Sequence, residues 1–139
     1  MLLIDNSAWA RLASPDLPPG RTEEIAQRIE AGSIGACLPF LLEAGYSARS
    51  ATDHDRVVAD LLMLPWIDIT PEISRLAIQA QGELARTGHH RVPPADLLIA
   101  ACAHAEGAGV LHYDRDYDVI AERSGLDFES EWLAPAGSV

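Results

Sequence analysis

Short apolar runs alternate along this chain with longer stretches of helical period, and each run is the length of a strand buried on both faces. Met1–Ile4 is the first such run; it is expected to be the central strand, and Asp5-Asn6-Ser7 behind it can cap a short helix carrying Trp9. Ser14–Gly20, SPDLPPG, reads as a loop, after which Thr22 is placed to cap a helix containing Ile25, Ala26 and Ile29. Ser33–Cys37 predicts a second strand. Pro39 can open a helix through PFLLEAGYSARS, with Phe40, Leu41 and Ala44 on one face and Glu43 partly buried among them. Thr52 and Asp53 precede another amphipathic helix that stops before Pro65, and Trp66–Ile69 supplies a brief strand. Thr70-Pro71 starts a helix to about Arg86, and the loop TGHHRVPP leads to Asp96 and a very apolar, centrally packed helix ended by Gly107 and Gly109. Val110–His112 predicts a strand, Tyr117–Arg123 a helix and Leu126–Phe128 an edge strand. Strands alternating with helices imply an α/β protein, a three-layer α/β/α sandwich around a mainly parallel sheet of about four to five short strands. One domain is expected to span 1–139, with the last few residues a flexible tail.

Composition narrows this reading. At 139 residues and 48% hydrophobic content the chain can bury a core of ordinary size. Cys37 and Cys102 are too few for a disulfide scaffold and read as buried thiols, consistent with a reducing cytosol. The start, MLLIDNSAW, lacks a charged leader, and no window approaches the ~20 apolar residues of a membrane span, so the expectation is a soluble, cytoplasmic protein without a membrane partner. All ten basic residues are Arg, which disfavours chemistry that needs a lysine. A net charge of -11 argues against a polyanionic partner unless several acids hold cations that the formal count omits. A basic protein partner would also suit it.

The acids matter because of where they stand. Asp5, Asp96, Asp114 and Asp116 lie where apolar runs begin or end, and the carboxyl ends of parallel strands converge on one crevice. Carboxylates gathered there repel unless a cation joins them, and an oxygen-only cluster suits Mg²⁺ or Mn²⁺. That chemistry points toward phosphodiester hydrolysis. Each residue also has an ordinary reading: Asp5, Asp96 and Ser7 as helix caps, Asp114 and Asp116 as turn residues. Glu43 on an apolar helix face needs a partner, either a metal or an Arg. His89 and His90 read as exposed loop residues and His112 as a strand residue bordering the site, while His54 and His104 carry no role. Trp9, Trp66 and Trp132 read as packing, and Arg11, Arg49, Arg91 and Arg115 as salt-bridging residues that could otherwise touch phosphate.

Taken in order, LLIDNSAW, LLEAGYSA, PPADLLIAACA and LHYDRDYDVIA resemble the PIN-domain ribonucleases, in particular VapC-like toxins of bacterial toxin–antitoxin pairs, over nearly the whole chain. The resemblance implies a Mg²⁺-dependent endoribonuclease, with Mn²⁺ as substitute, that hydrolyses RNA, is restrained by a cognate basic antitoxin and forms a homodimer. It makes Asp5 and Asp96 the principal ligands, with Glu43, Asp114 and Asp116 completing the site directly or through water and Ser7 supporting it. Asp114 is preferred over Asp116 as the closer ligand, and D-R-D-Y departs from the family's frequent Phe after the acid. The competing class is a non-catalytic PIN-like module that binds RNA or protein. Phosphatase chemistry of the haloacid-dehalogenase kind is set aside, because Asp118 stands where that motif needs Thr or Val.

Overall fold

A computed structural model of the chain describes residues 1–89 and 91–139, so His90 lies outside the described residues. The elements are β1 (Leu2–Ile4), α1 (Asn6–Trp9), α2 (Arg21–Glu30), β2 (Ile34–Cys37), α3 (Leu38–Tyr46), α4 (Ala51–Leu61), β3 (Trp66–Ile67), α5 (Pro71–Arg86), α6 (Pro94–Glu106), β4 (Gly109–His112), α7 (Asp116–Arg123) and β5 (Ser130–Trp132). The strands form one five-stranded sheet in the order β3-β2-β1-β4-β5, and every pairing is parallel. Every residue of β1, β2 and β4 is buried, as expected where helices cover both faces, so the three-layer α/β/α sandwich holds. β1 is central. The chain winds outward from it first through β2 and β3, then returns to β4 and β5 on its other side. The crevice for ligands in such a sheet lies where the order reverses, at the carboxyl ends of β1 and β4.

The local signals set most boundaries. Thr70 caps α5 by accepting from Ile73 N–H, and Gly107, at φ +63°, ends α6 in the left-handed conformation. α6 is the packing axis, with Ile99 to Ala103 wholly inaccessible against β1, β4 and the helices α3, α5 and α7. Gly109 is indispensable inside β4, because a Cβ there would stand 2.7 Å from Leu2 Cδ2 and 2.8 Å from the Glu129 carbonyl oxygen.

Several expectations need correction. Thr22 lies inside α2, whose N-cap is Gly20 at φ +82°, and its hydroxyl faces the Leu12 carbonyl instead. α3 stops at Tyr46 rather than continuing through Ser50, which caps α4 by accepting from Asp53 N–H. Gly109 belongs to β4, not to the end of α6. The edge strand is Ser130–Trp132, not Leu126–Phe128, because β4 meets the chain only from Glu129 onward, where Val110 N–H donates to the Glu129 carbonyl. Beyond β5 the chain runs from buried Leu133 and Ala134 to Val139, whose N–H donates to Tyr113 Oη at 2.8 Å.

Candidate metal centre

The carboxyl end of β1 delivers Asp5, which is 3% exposed. Its backbone continues the ladder onto the Leu111 carbonyl, and its side chain then caps α1: Oδ2 accepts from Ser7 N–H at 2.9 Å and from Ser7 Oγ at 2.5 Å. Asp5 therefore caps α1, as its ordinary reading has it. Ser7 Oγ also accepts from Tyr113 N–H at 2.9 Å, which ties β1 to the segment leaving β4. That segment carries Asp114, whose Oδ1 accepts from Asp116 N–H at 2.9 Å and folds Asp114 and Asp116 into one turn.

Asp96 enters from α6. It is the third residue of that helix and makes no capping bond, so its ordinary reading fails. It is 5% exposed, and its Oδ2 has no hydrogen-bond partner among the described residues. Asp96, Asp114 and Asp116 can each present an oxygen so that the ligand atoms lie within 4.8 Å of one another. Asp5 and Glu43 are not members of that tight group but adjoin it: Asp5 acts on Asp96 and Glu43 by charge, as Asp114 does. Glu43 on α3 is half-buried, and among the described residues no Arg lies within ion-pairing distance of it, so the Arg-partner alternative is not met.

The electrostatics are those of carboxyls crowded without a counter-charge. Burial first, then the charges of Asp5, Asp114, Glu43 and Asp116, push the Asp96 pKa up to about 8. Burial followed by Asp5 and Asp114 raises Glu43, and burial followed by Asp114 raises Asp116 against the opposing pull of Arg115. A buried carboxylate with one unsatisfied oxygen, grouped with two further carboxylates, is a donor set for a hard divalent cation. The residues fit such an ion.

The sequence profile of the PIN domain matches residues 2–123. The chain belongs to that family. It is 40% identical to Ribonuclease VapC18 of Mycobacterium tuberculosis, over 98% of this chain and 97% of that one. It is 41% identical to Ribonuclease VapC2 of the same species, over 91% of this chain and 89% of that one. Among solved structures, a DNA-bound VapBC from Salmonella typhimurium shares the fold with a TM-score of 0.71 at 22% identity, covering 96% of this chain and all of that one. VapBC2 from Rickettsia felis, bound to a promoter DNA fragment, also superposes with a TM-score of 0.71, at 18% identity over 93% of this chain and 97% of that one.

Two features of this PIN domain escaped the sequence. Tyr117, read only as a helix start, is wholly buried, and its hydroxyl donates to Asp5 Oδ1 at 2.8 Å while lying 3.4 Å from Asp96 Oδ1. A single phenolic proton thus stands between two carboxylates, and burial with those charges holds the phenol well above its ordinary pKa, so it remains a donor. His112, expected to border the site, is wholly buried at the end of β4, where its Nδ1 accepts from Asp114 N–H at 3.1 Å. That leaves the proton on Nε2, 2.7 Å from Ser130 Oγ, which donates to Asp118 Oδ1 at 2.6 Å, while Trp132 Nε1 donates to Asp118 Oδ2 at 2.8 Å. Burial lowers the His112 pKa and keeps the ring neutral. No spacing along the chain marks either arrangement.

The remaining described histidines lie elsewhere. His89 is half-buried, its N–H donating to the Leu84 carbonyl, and His54 packs against Gly45. His104 accepts from Asp127 N–H at 2.8 Å. Arg11 donates to the Ser7 carbonyl at 2.8 Å and lies over the Tyr113 ring at 4.6 Å, beside the acids, and Arg115 is exposed within the acid turn. Trp9 meets Phe40 edge-on, which bears out packing as its role.

Proposed function

We propose that this PIN domain is a divalent-metal-dependent endoribonuclease toxin of the VapC kind, with Mg²⁺ as the ion and Mn²⁺ as its substitute, acting in the cytoplasm as a single domain. Asp96 carries the reading: it is buried, one of its oxygens has no hydrogen-bond partner among the described residues, and it groups with Asp114 and Asp116. Asp96, Asp114 and Asp116 would hold the ion directly, with Asp5 and Glu43 completing the set directly or through water. When bound, the ion supplies Lewis-acid charge for the phosphoryl oxygens and acidifies water. The chain's own side chains do the rest. Ser7 and Tyr117 hold the two oxygens of Asp5 and leave its remaining lone pair for the site. Glu43, whose pKa is raised, can hold or accept a proton beside the reacting phosphate. Arg11 and Arg115 supply positive charge at the rim of an otherwise acidic surface.

Curated relatives named ribonucleases, aligned over nearly the full chain, support RNA as the substrate, and VapBC complexes with this fold support an antitoxin partner. The surface beside the acids agrees. Leu38, Leu42 and Tyr46 are exposed at four-residue spacing on α3, Tyr46 to 92%, and flank Glu43. An antitoxin laid along them would cover the acids as well, and basic residues on it would complement the charge of -11. A homodimer is part of the same reading, with Leu62, Met63 and Ile78 as further exposed apolar side chains for it. None of the described helices is long and apolar enough to cross a membrane.

The purified chain incubated with total RNA and Mg²⁺ should cleave it, and Asp96→Asn should fall by at least about a hundredfold. Equal cleavage by the variant, or none by the parent with any divalent ion, would overturn the assignment in favour of a binding module. Co-expression of the neighbouring reading frame should relieve toxicity.

A further inference from the structure

Beside the acids lies an open slot of about 730 Å³, bounded by Tyr113, Asp114, Val119, Glu122, Trp132 and the tail at Gly137. It adjoins the metal centre, since Asp114 lines the slot and belongs to the acid group. We propose that this slot is a nucleobase subsite for a nucleotide next to the scissile phosphate, and that Glu122 makes it prefer guanine. The inference rests on the ribonuclease reading for its substrate, but on the slot's own walls for its chemistry.

Those walls are aromatic and already fixed. The Tyr113 and Trp132 rings meet edge to face, with centroids 5.6 Å apart at 82°. Tyr113 is held by Val139 N–H on its hydroxyl and by Arg11 over its ring. Trp132 is held by Asp118 through its indole N–H, by the His112 ring against it at 5.0 Å, and by its place in β5. Asp118 has both oxygens engaged, one by Ser130 and one by Trp132, so it is spent on holding the wall. A base entering such a slot meets apolar and π surface without first having to order it, and base–aromatic contact is tolerant of which base it is, so the choice among bases falls to the polar groups.

What remains free decides which part of the RNA goes there. Glu122 lies on α7 one turn beyond Asp118 and Val119, is exposed, and has no side-chain partner among the described residues. An ionised carboxylate only accepts hydrogen bonds, so it repels a phosphate and attracts an N–H edge. Guanine offers N1–H and the exocyclic amine side by side, two donors for one carboxylate, where uracil offers a single N–H. Arg115, exposed at the lip, is left for the adjoining phosphate.

The test uses binding and cleavage in parallel. Metal-free Asp96→Asn protein is titrated by fluorescence anisotropy with short single-stranded RNAs that differ only in one guanine or uracil, and metal-loaded protein otherwise unaltered is assayed on the same set. Guanine-containing RNA should bind roughly tenfold tighter than its uracil counterpart, and Glu122→Gln should bring the ratio close to one. Val119→Trp, which fills the slot from α7, should weaken both RNAs, while Glu30→Gln at the end of α2 removes the same charge and should leave the ratio alone. A ratio unchanged in Glu122→Gln, or affinities for both RNAs unchanged in Val119→Trp, overturns the subsite, even if cleavage is normal. Loss of the ratio in a chain that cleaves no RNA with any divalent ion would retain the subsite and remove the ribonuclease reading instead.

Discussion

In the absence of metal, the acid site should make this fold less stable as pH rises through the neutral range, and Asp96→Asn should remove most of that loss. Asp96 has a pKa near 8 in the folded chain, pushed there by burial and by four neighbouring carboxylates. In the unfolded chain the same group titrates at about 4. Between those values the folded protein holds a proton that the unfolded chain has released, so the slope of stability with pH is negative, up to about 1.4 kcal/mol per pH unit. The contribution is fully present only below about pH 4 and is lost as pH rises to about 8. Integrated over the interval this is about 5 kcal/mol as an upper limit, and water entry and relaxation around the acids reduce it to about 2–3 kcal/mol.

Asparagine has nearly the same shape and no charge at any pH. The variant should therefore match the parent near pH 4.5 and exceed it by about 2 kcal/mol at about pH 8.5, a Tm difference of roughly 5–10 °C for a domain of this size. Thermal unfolding by circular dichroism in chelator, stepped across that range for both proteins, makes the measurement. A smaller slope of the same sign should persist in the variant, because Glu43 and Asp116 are also raised. Saturating Mn²⁺ should reverse the order, since the cation takes the proton's place in the parent and stabilises it by mass action. An Asp96→Asn variant as steep in pH as the parent, or less stable than it at high pH in chelator, would refute the crowded-carboxylate account.

Tyr117→Phe removes the proton between Asp5 and Asp96 with little change of shape, so the metal-free protein should lose about 1–3 kcal/mol in urea unfolding and the Mn²⁺-loaded protein less; equal losses in both would mean that the hydroxyl serves only the fold. Ser7→Ala deprives Asp5 of a donor and leaves Tyr113 N–H without its acceptor, which should cost about 1–3 kcal/mol by the same measurement. Gly109→Ala places a methyl 2.7 Å from Leu2 Cδ2 and 2.8 Å from a backbone oxygen, and should cost at least about 1–3 kcal/mol; a variant as stable as the parent would mean that β4 and β5 are spaced otherwise.

Much of this architecture was legible because the signals that made it are local. MLLI followed by Asp5 is a buried strand with a cap, and the caps at Thr70 and Gly107 are where the sequence put them. The misses fall where a partner distant in sequence decides. Leu126–Phe128 looks more like a strand than Ser130–Trp132, yet the latter pairs with β4, because Ser130 and Trp132 reach His112 and Asp118. The acids could be named from their positions, but not their grouping: no spacing along the chain says that Asp96 meets Asp114 and Asp116 more closely than Asp5 does. Tyr117 was invisible for a related reason. An aromatic at that place looks like core, and only the fold reveals that its one polar atom points at two carboxylates.

The charge of -11 takes on a different meaning once the acids are sorted by what faces them. Glu24 and Glu131 interlock with Arg21 and Arg28, Asp53 pairs with Arg56, and Glu83 with Arg86. The buried acids of the site receive no such partner among the described residues. They are held by donors without formal charge: the Ser7 hydroxyl, the Tyr117 phenol and the backbone of Asp116. Neutral donors orient a carboxylate without cancelling it, so the negative potential survives for an incoming cation, whereas an arginine would have occupied the same oxygens. Arg21, Arg28, Arg56 and Arg86 are spent on the α2–β5 side and on exposed helical turns, while Arg11 and Arg115 stand at the rim of the site without an ion pair to its acids among the described residues. A molecule that withholds its cations from its most crowded acids is arranged to take one from solution, at the expense of stability in its absence.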